Sequence, residues 1–134
     1  MIDQQHFKTK QCFDRFSMLA PKLQEIAQDA IDYALKIGVT HPVITETVTT
    51  EAEDKALNRV SDTHRTCRAF DFRVIDWSGE QIDAMLDYLN KKYSDIGAET
   101  SNGRVVALYH DNGHGLHFHI QLDRSFSLPN NLTE

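Results

Sequence analysis

Leu116-His117-Phe118-His119-Ile120-Gln121-Leu122 alternates apolar and polar residues without a break. A strand turns successive side chains to opposite faces. Leu116, Phe118, Ile120 and Leu122 therefore share one face, and His117, His119, Gln121 and the following Asp123 share the other. Upstream, Val105–Tyr109 reads as a second strand, and HDNGHG (110–115) between them is rich in turn formers, so the pair makes a hairpin. Further toward the N-terminus, Gln81–Tyr93 carries Ile82, Met85, Leu86 and Leu89 at helical spacing, behind a Ser78 cap with Gln81 three residues later. Ala69–Ile75 (AFDFRVI) reads as a strand with Phe70, Phe72 and Val74 facing one way and Asp71 and Arg73 the other. SDTHRTCR (61–68) lacks periodicity and reads as a loop; Glu51–Val60 reads as a short helix and Val43–Val48 (VITETV) as a strand. Ala20–Ile37 is a helix with its stripe at Leu23, Ile26, Ala27, Ala30, Ile31, Ala34 and Leu35, stopped by Gly38. Residues 1–16 and 124–134 read as irregular. This order predicts an α+β fold, a small and largely antiparallel sheet with helices packed on one face, in one domain over 1–134.

Composition narrows the function classes. The 134 residues carry a formal net charge of −6, without the basic footprint of a nucleic-acid binder. Arg59, Arg65, Arg68 and Arg73 still fall close enough in sequence to build a local basic cleft. No stretch approaches the ~20 apolar residues of a membrane span. Met1–Lys10 lacks the basic-then-apolar layout of a secretory signal, so the chain is expected to be cytoplasmic as synthesised. Cys12 and Cys67 read as free thiols rather than a disulfide framework.

The chemistry concentrates in two places. His117 and His119 lie side by side on the polar face of the last strand, with His114 just upstream in the hairpin loop. Alone, an H-x-H on a strand is more often a pair of solvated histidines than a metal site. The second cluster changes that weighing: His64 in the 61–68 loop is followed by Asp71 on the polar side of the next strand. An imidazole, a carboxylate and one histidine from a distant strand make three protein ligands, the arrangement that leaves zinc a fourth position for water. Zinc so held polarises a carbonyl and lowers the pKa of water toward ~7, which suits amide hydrolysis.

His64-Arg65-Thr66-Cys67-Arg68-Ala69-Phe70-Asp71 resembles the H-x-x-G-x-A-x-D motif of the zinc D-alanyl-D-alanine carboxypeptidase and L-alanyl-D-glutamate endopeptidase group, and His114-Gly115-Leu116-His117-Phe118-His119 resembles its H-x-x-H-x-H segment. Sonic hedgehog and the lysostaphin-type enzymes share a related core. The resemblance covers about 40–123 and implies His64, Asp71 and His119 as zinc ligands, His117 as general base and His114 as its assistant. A second register within the group would make His117 the ligand and put His114 at the base position. The implied activity is hydrolysis of peptide bonds in peptidoglycan stem peptides or cross-links, as in a phage endolysin that reaches the wall after release. Two other functions are open, a catalytically inactive zinc-binding module of the same fold and a cupin-like metal enzyme, against which the two helical stripes argue.

The chain departs from the group in three ways. Cys67 replaces the motif glycine, which is expected to mean that the loop tolerates a side chain there. Cys67 as a fourth ligand or a nucleophile ranks below a small packed residue. Asp62 stands where relatives carry a serine, with Ser61 one earlier, and both are candidate substrate-binding residues. Thr49 or Thr50 stands where relatives place an arginine for a substrate carboxylate, leaving Arg65 or Arg73 as substitutes. Trp77 and Tyr109 fit either a peptide groove or, more simply, the core.

Overall fold

The computed structural model describes residues 2–111 and 115–132. In chain order the elements are α1 (Lys10–Phe16), α2 (Pro21–Lys36), β1 (Ile44–Glu46), α3 (Glu51–Ala56), β2 (Ala69–Arg73), α4 (Gly79–Tyr93), β3 (Ala98–Thr100), β4 (Gly103–Val105), β5 (Ala107–Asp111) and β6 (Leu116–Gln121), with short 3-10 turns at Gln4–His6, Ser94–Ile96 and Arg124–Phe126. Strands β1, β2, β6 and β5 form an open antiparallel sheet in that order, while β3 and β4 pair separately. The fold is thus α+β with a small antiparallel sheet, as the alternation and helical stripes predict.

Period two divides the central strands cleanly. Phe70 and Phe72 of β2 and Phe118 and Ile120 of β6 are fully buried. They join one core with Leu23, Ile26, Ala27 and Ile31 of α2 and Met85 and Leu89 of α4. The opposite face of the same two strands carries Asp71, Arg73, His117, His119 and Gln121. Trp77 sits edge-on to Phe72 and Phe118 at ring distances of 5.6 and 5.3 Å, so it closes the end of the aromatic core.

Capping chemistry sets the helix ends. The Ser78 hydroxyl accepts from the Gln81 amide at 3.1 Å, and the Gln81 side chain accepts from the Ser78 amide at 2.9 Å. Gln81 also donates to the Ile37 carbonyl at 3.1 Å, which ties the start of α4 to the end of α2. Gly38 ends α2 in a left-handed conformation, φ +97°, that glycine adopts without steric cost.

Several expected boundaries move. The segment expected to be irregular over 1–16 is ordered across its described residues, 2–16: Thr9 caps α1 by accepting from the Cys12 amide at 3.1 Å, and Phe7 packs on Phe13 and Phe16 at 5.3 Å each. Seven residues are too few for a periodic stripe to stand out, and the helix is held by tertiary packing. Helix α3 stops at Ala56 rather than Val60, because Asn58 turns left-handed at φ 54°. The hairpin β3–β4 takes up Val105 from the strand expected over 105–109, so β5 begins at Ala107 and runs on to Asp111. The segment 124–134 opens with a 3-10 turn capped by Asp123. No described helix is long and apolar enough to cross a membrane.

Asn90 fastens α4 to the sheet. Its carbonyl oxygen accepts from the Val106 and Ala107 amides at 3.0 and 2.9 Å, and its amide donates to the Ala107 carbonyl at 3.0 Å. Asn90→Ala strands three backbone groups at the entry to β5 and is expected to cost about 2–3 kcal/mol, read as a lower midpoint in urea unfolding. A loss below 0.5 kcal/mol, within the range of an ordinary surface change, would show that water replaces these bonds.

Candidate metal centre

The β2–β6 register sets Asp71 directly opposite His119, and Arg73 opposite His117. On the far side of β6, His110 of β5 pairs with His117. The loop 61–68 returns His64 over the same face through short backbone bonds: Thr66 N to Asp62 O at 3.0 Å, Cys67 N to His64 O at 3.1 Å and Arg68 N to Thr63 O at 3.1 Å. Two sequence-distant segments thereby bring His64, Asp71 and His119 together, all buried, with their ligand atoms within 4.8 Å of one another.

The hydrogen bonds specify which atoms face inward. His64 donates from Nδ1 to the Thr47 carbonyl at 2.7 Å, which leaves Nε2 pointing at Asp71 Oδ1, 3.2 Å away. His119 turns Nδ1 to the same oxygen at 3.0 Å, while Nε2 lies 3.2 Å from the Gln121 side-chain oxygen and 3.3 Å from the Thr63 hydroxyl. Each imidazole therefore has its outer nitrogen held by an acceptor and its inner nitrogen aimed at one carboxylate oxygen. Outer partners of this kind fix tautomer and ring orientation in metal-ligating histidines. Two imidazole nitrogens and a carboxylate suit a borderline cation such as zinc, and the residues present fit three-ligand binding.

Charge at the site follows from burial and contact. For His64, burial works against the charged form, but the Asp71 carboxylate outweighs it and the pKa is raised. For Asp71, burial would raise the pKa, yet the positive charge of His64 and the hydrogen bond from His119 hold it well below the usual range. A proton on His64 Nε2 and a metal ion would compete for the same lone pair, so a metal held there would displace that proton. His119 is pulled down by burial.

His117 lies outside the converging set. It donates from Nδ1 to the Gly115 carbonyl at 3.0 Å, and its Nε2 stands 3.8 Å from Asp71 Oδ2. This nitrogen is turned toward the Asp71 carboxylate at the edge of the triad. His114 lies outside the described residues. In the alternative register, with His117 as ligand, the nitrogen stands 3.8 Å from Asp71 Oδ2, whereas His119 Nδ1 stands 3.0 Å from Oδ1.

The three candidate substrate residues separate. Ser61 pairs with the Thr63 hydroxyl at 3.1 Å on the rim. Asp62 is engaged by Arg68 at 3.0 Å, and Arg65 by Asp54 at 3.2 Å, so both carry structural ion pairs. Arg73 has no ion pair among the described residues and lines a groove beside His117.

Four neighbours of the centre have no site role in the sequence reading, although it sets Gln121 on the polar face and Arg59 in a possible basic cleft. Arg59 reaches in from the loop after α3, 2.6 Å from Glu46, 3.1 Å from Asp54 and 4.0 Å from Asp71. Thr63 and Gln121 hold His119, and His110 places its ring 5.0 Å from His117 and 5.6 Å from His119. Burial, with the nearby histidine charges, lowers the His110 pKa. A hairpin register centred on the 110–115 loop would set His117 opposite Leu108; the observed register is shifted and sets it opposite His110, and no local pattern marks Arg59.

Cys67 is buried and packed, the reading ranked first for it. Its backbone is left-handed at φ 64°, the conformation that the motif glycine would serve, so the loop keeps the glycine geometry under a cysteine. The thiol is buried, sits 3.9 Å from the Pro129 carbonyl, and is absent from the ligand set. Burial raises its pKa, which opposes a nucleophilic role. Compared with known protein families, curated proteins and solved structures, the chain matches none.

Gln121→Leu removes one acceptor from His119 and is expected to weaken the hold on a metal ion, with zinc as the probe, by about tenfold or more in chelator competition; an unchanged affinity would mean that Thr63 alone orients the ring. At position 67, glycine and alanine both remove the sulfur, but only glycine relieves the left-handed backbone. Cys67→Gly should therefore exceed Cys67→Ala in unfolding free energy by about 1 kcal/mol, and the reverse order would deny strain at this residue.

Proposed function

We propose that this chain is a zinc-dependent peptidase acting on bacterial cell-wall peptides, of the D-alanyl-D-alanine carboxypeptidase and L-alanyl-D-glutamate endopeptidase type, with a hedgehog-like core. The observation that carries the reading is the convergence of His64 Nε2, His119 Nδ1 and Asp71 Oδ1, with both outer imidazole nitrogens engaged. His64, Asp71 and His119 would hold the ion. When bound, zinc supplies Lewis acidity toward a carbonyl and brings the pKa of water to about 7.

The chain's own groups supply the rest. His117 Nε2 takes a proton from the attacking water and returns it to the leaving amine, its other nitrogen fixed by Gly115. Arg59 offsets the Glu46 carboxylate, which lies opposite Asp71 in the sheet register. Without that cation two neighbouring carboxylates would repel. The cavity of about 340 Å³ over the centre sets Leu57, Leu108 and His110 beside His64, Asp71 and His119.

The test is metal content and wall lysis of purified chain beside His119→Ala. Near-stoichiometric zinc with lysis, both lost in the variant, is the expected result. Zinc retained without lysis would favour a non-catalytic metal-binding module, and failure to take up zinc when it is offered would sink the reading.

A further inference from the structure

Resting on the peptidase reading, we propose that a cavity beside the metal centre selects substrates by a side chain that ends in both an ammonium and a carboxylate. Among wall peptides that head group belongs to diaminopimelate, whereas lysine at the same position ends in an ammonium alone. The cavity, about 790 Å³, is bounded by the 61–68 loop, β3 and the turn that follows β6. Thr63 and Gln121 line it, and the same two side chains lie 3.3 and 3.2 Å from His119 Nε2. A peptide whose scissile bond sits at His119 therefore has this cavity within the reach of a long side chain.

Six charged side chains line the cavity, and four of them are already committed. Arg65 meets Asp54 at 3.2 Å, and Arg68 meets Asp62 at 3.0 Å. Asp123 accepts from Arg104 and from the Ser125 hydroxyl, each at 2.7 Å. Glu99 and Arg124 remain, and both are exposed. Arg104 stands opposite Glu99 in the β3–β4 register and feels its charge, yet its guanidinium bonds to Asp123 and to the Gly97 carbonyl. Among the described residues no hydrogen bond or ion pair holds the Glu99 carboxylate or the Arg124 guanidinium. One charge of each sign thus stays open in a single cavity. A purely anionic ligand would meet Arg124 with Glu99 nearby to repel it, and a purely cationic one the reverse. A head group with both charges answers both, and such complementarity discriminates between partners of similar shape. Val60, 97% exposed, gives the same cavity an apolar surface for the methylenes of that side chain.

The experiment measures peptide binding by calorimetry on zinc-loaded His117→Ala chain, which keeps the three ligands and lacks the proposed base. Three soluble stem peptides are compared, identical except for diaminopimelate, lysine or side-chain-amidated diaminopimelate at one position. Arg124→Ala and Glu99→Gln, both at exposed positions, are then added singly. The diaminopimelate peptide is expected to bind about two- to fivefold tighter than the other two, the worth of one exposed charge pair. Arg124→Ala should bring it down to their level and leave them unchanged, while Glu99→Gln should weaken all three. Equal binding of the three peptides, no binding of any, or an Arg124→Ala loss shared by all would overturn the proposal. Wall lysis by the zinc-loaded chain is scored separately: its absence would remove the peptidase reading, and the binding pattern would still decide the cavity.

Discussion

Asp71 faces His119 only because β2 and β6 pair in one register, and the triad that could hold a metal ion depends on that pairing. The same register buries Phe70, Phe72, Phe118 and Ile120 against α2 and α4. A slip of one residue would turn every side chain of a strand to the other face, sending phenylalanines to solvent and the carboxylate into the apolar core. Core packing and metal geometry are therefore one constraint read from two sides of a sheet. The stability of the aromatic layer, far more than any bond among the polar groups, keeps the ligands together.

Around this register the polar face is arranged as a graded set of charges. Asp54, almost wholly buried, accepts from the Thr49 hydroxyl and from Arg59 and Arg65. Arg59 in turn meets Glu46 at 2.6 Å. Burying such a network costs much of what its Coulomb attraction returns, so its main effect is to place groups rather than to add stability. What it places is the loop after α3, which forms one wall of the central cavity. Asp71 is left with the histidines as its closest partners.

Legibility followed periodicity. The central strands, α2 and α4 were readable because each has an apolar stripe of the right period, and α4 has a capping box besides. His64, Asp71 and His119 were readable because motif spacing and face alternation select them without knowledge of tertiary contacts. The seven residues of α1 and the three-residue strands β3 and β4 are too short to establish a period, and neighbours hold them in place. Arg59 illustrates the deeper limit. Its importance comes from a loop direction set by Asn58, and nothing in the adjacent residues encodes the distance to Glu46 or Asp71. Asp62 and Arg65 show the converse, since position near a motif made them candidates while the fold gives each an ion-pair partner.

Both cysteines are enclosed: Cys12 between α1 and β1, where burial pushes its thiol up to about 12, and Cys67 at the end of the His64 loop. In the closed state neither offers a thiolate to reagents in solution. Any modification must therefore wait for the surrounding segment to open, and its rate becomes a clock for that opening. One sulfur reports on the N-terminal packing and the other on the loop that carries His64. The molecule thus contains two native reporters on separate regions, able to tell local loosening at the metal centre from unfolding of the whole.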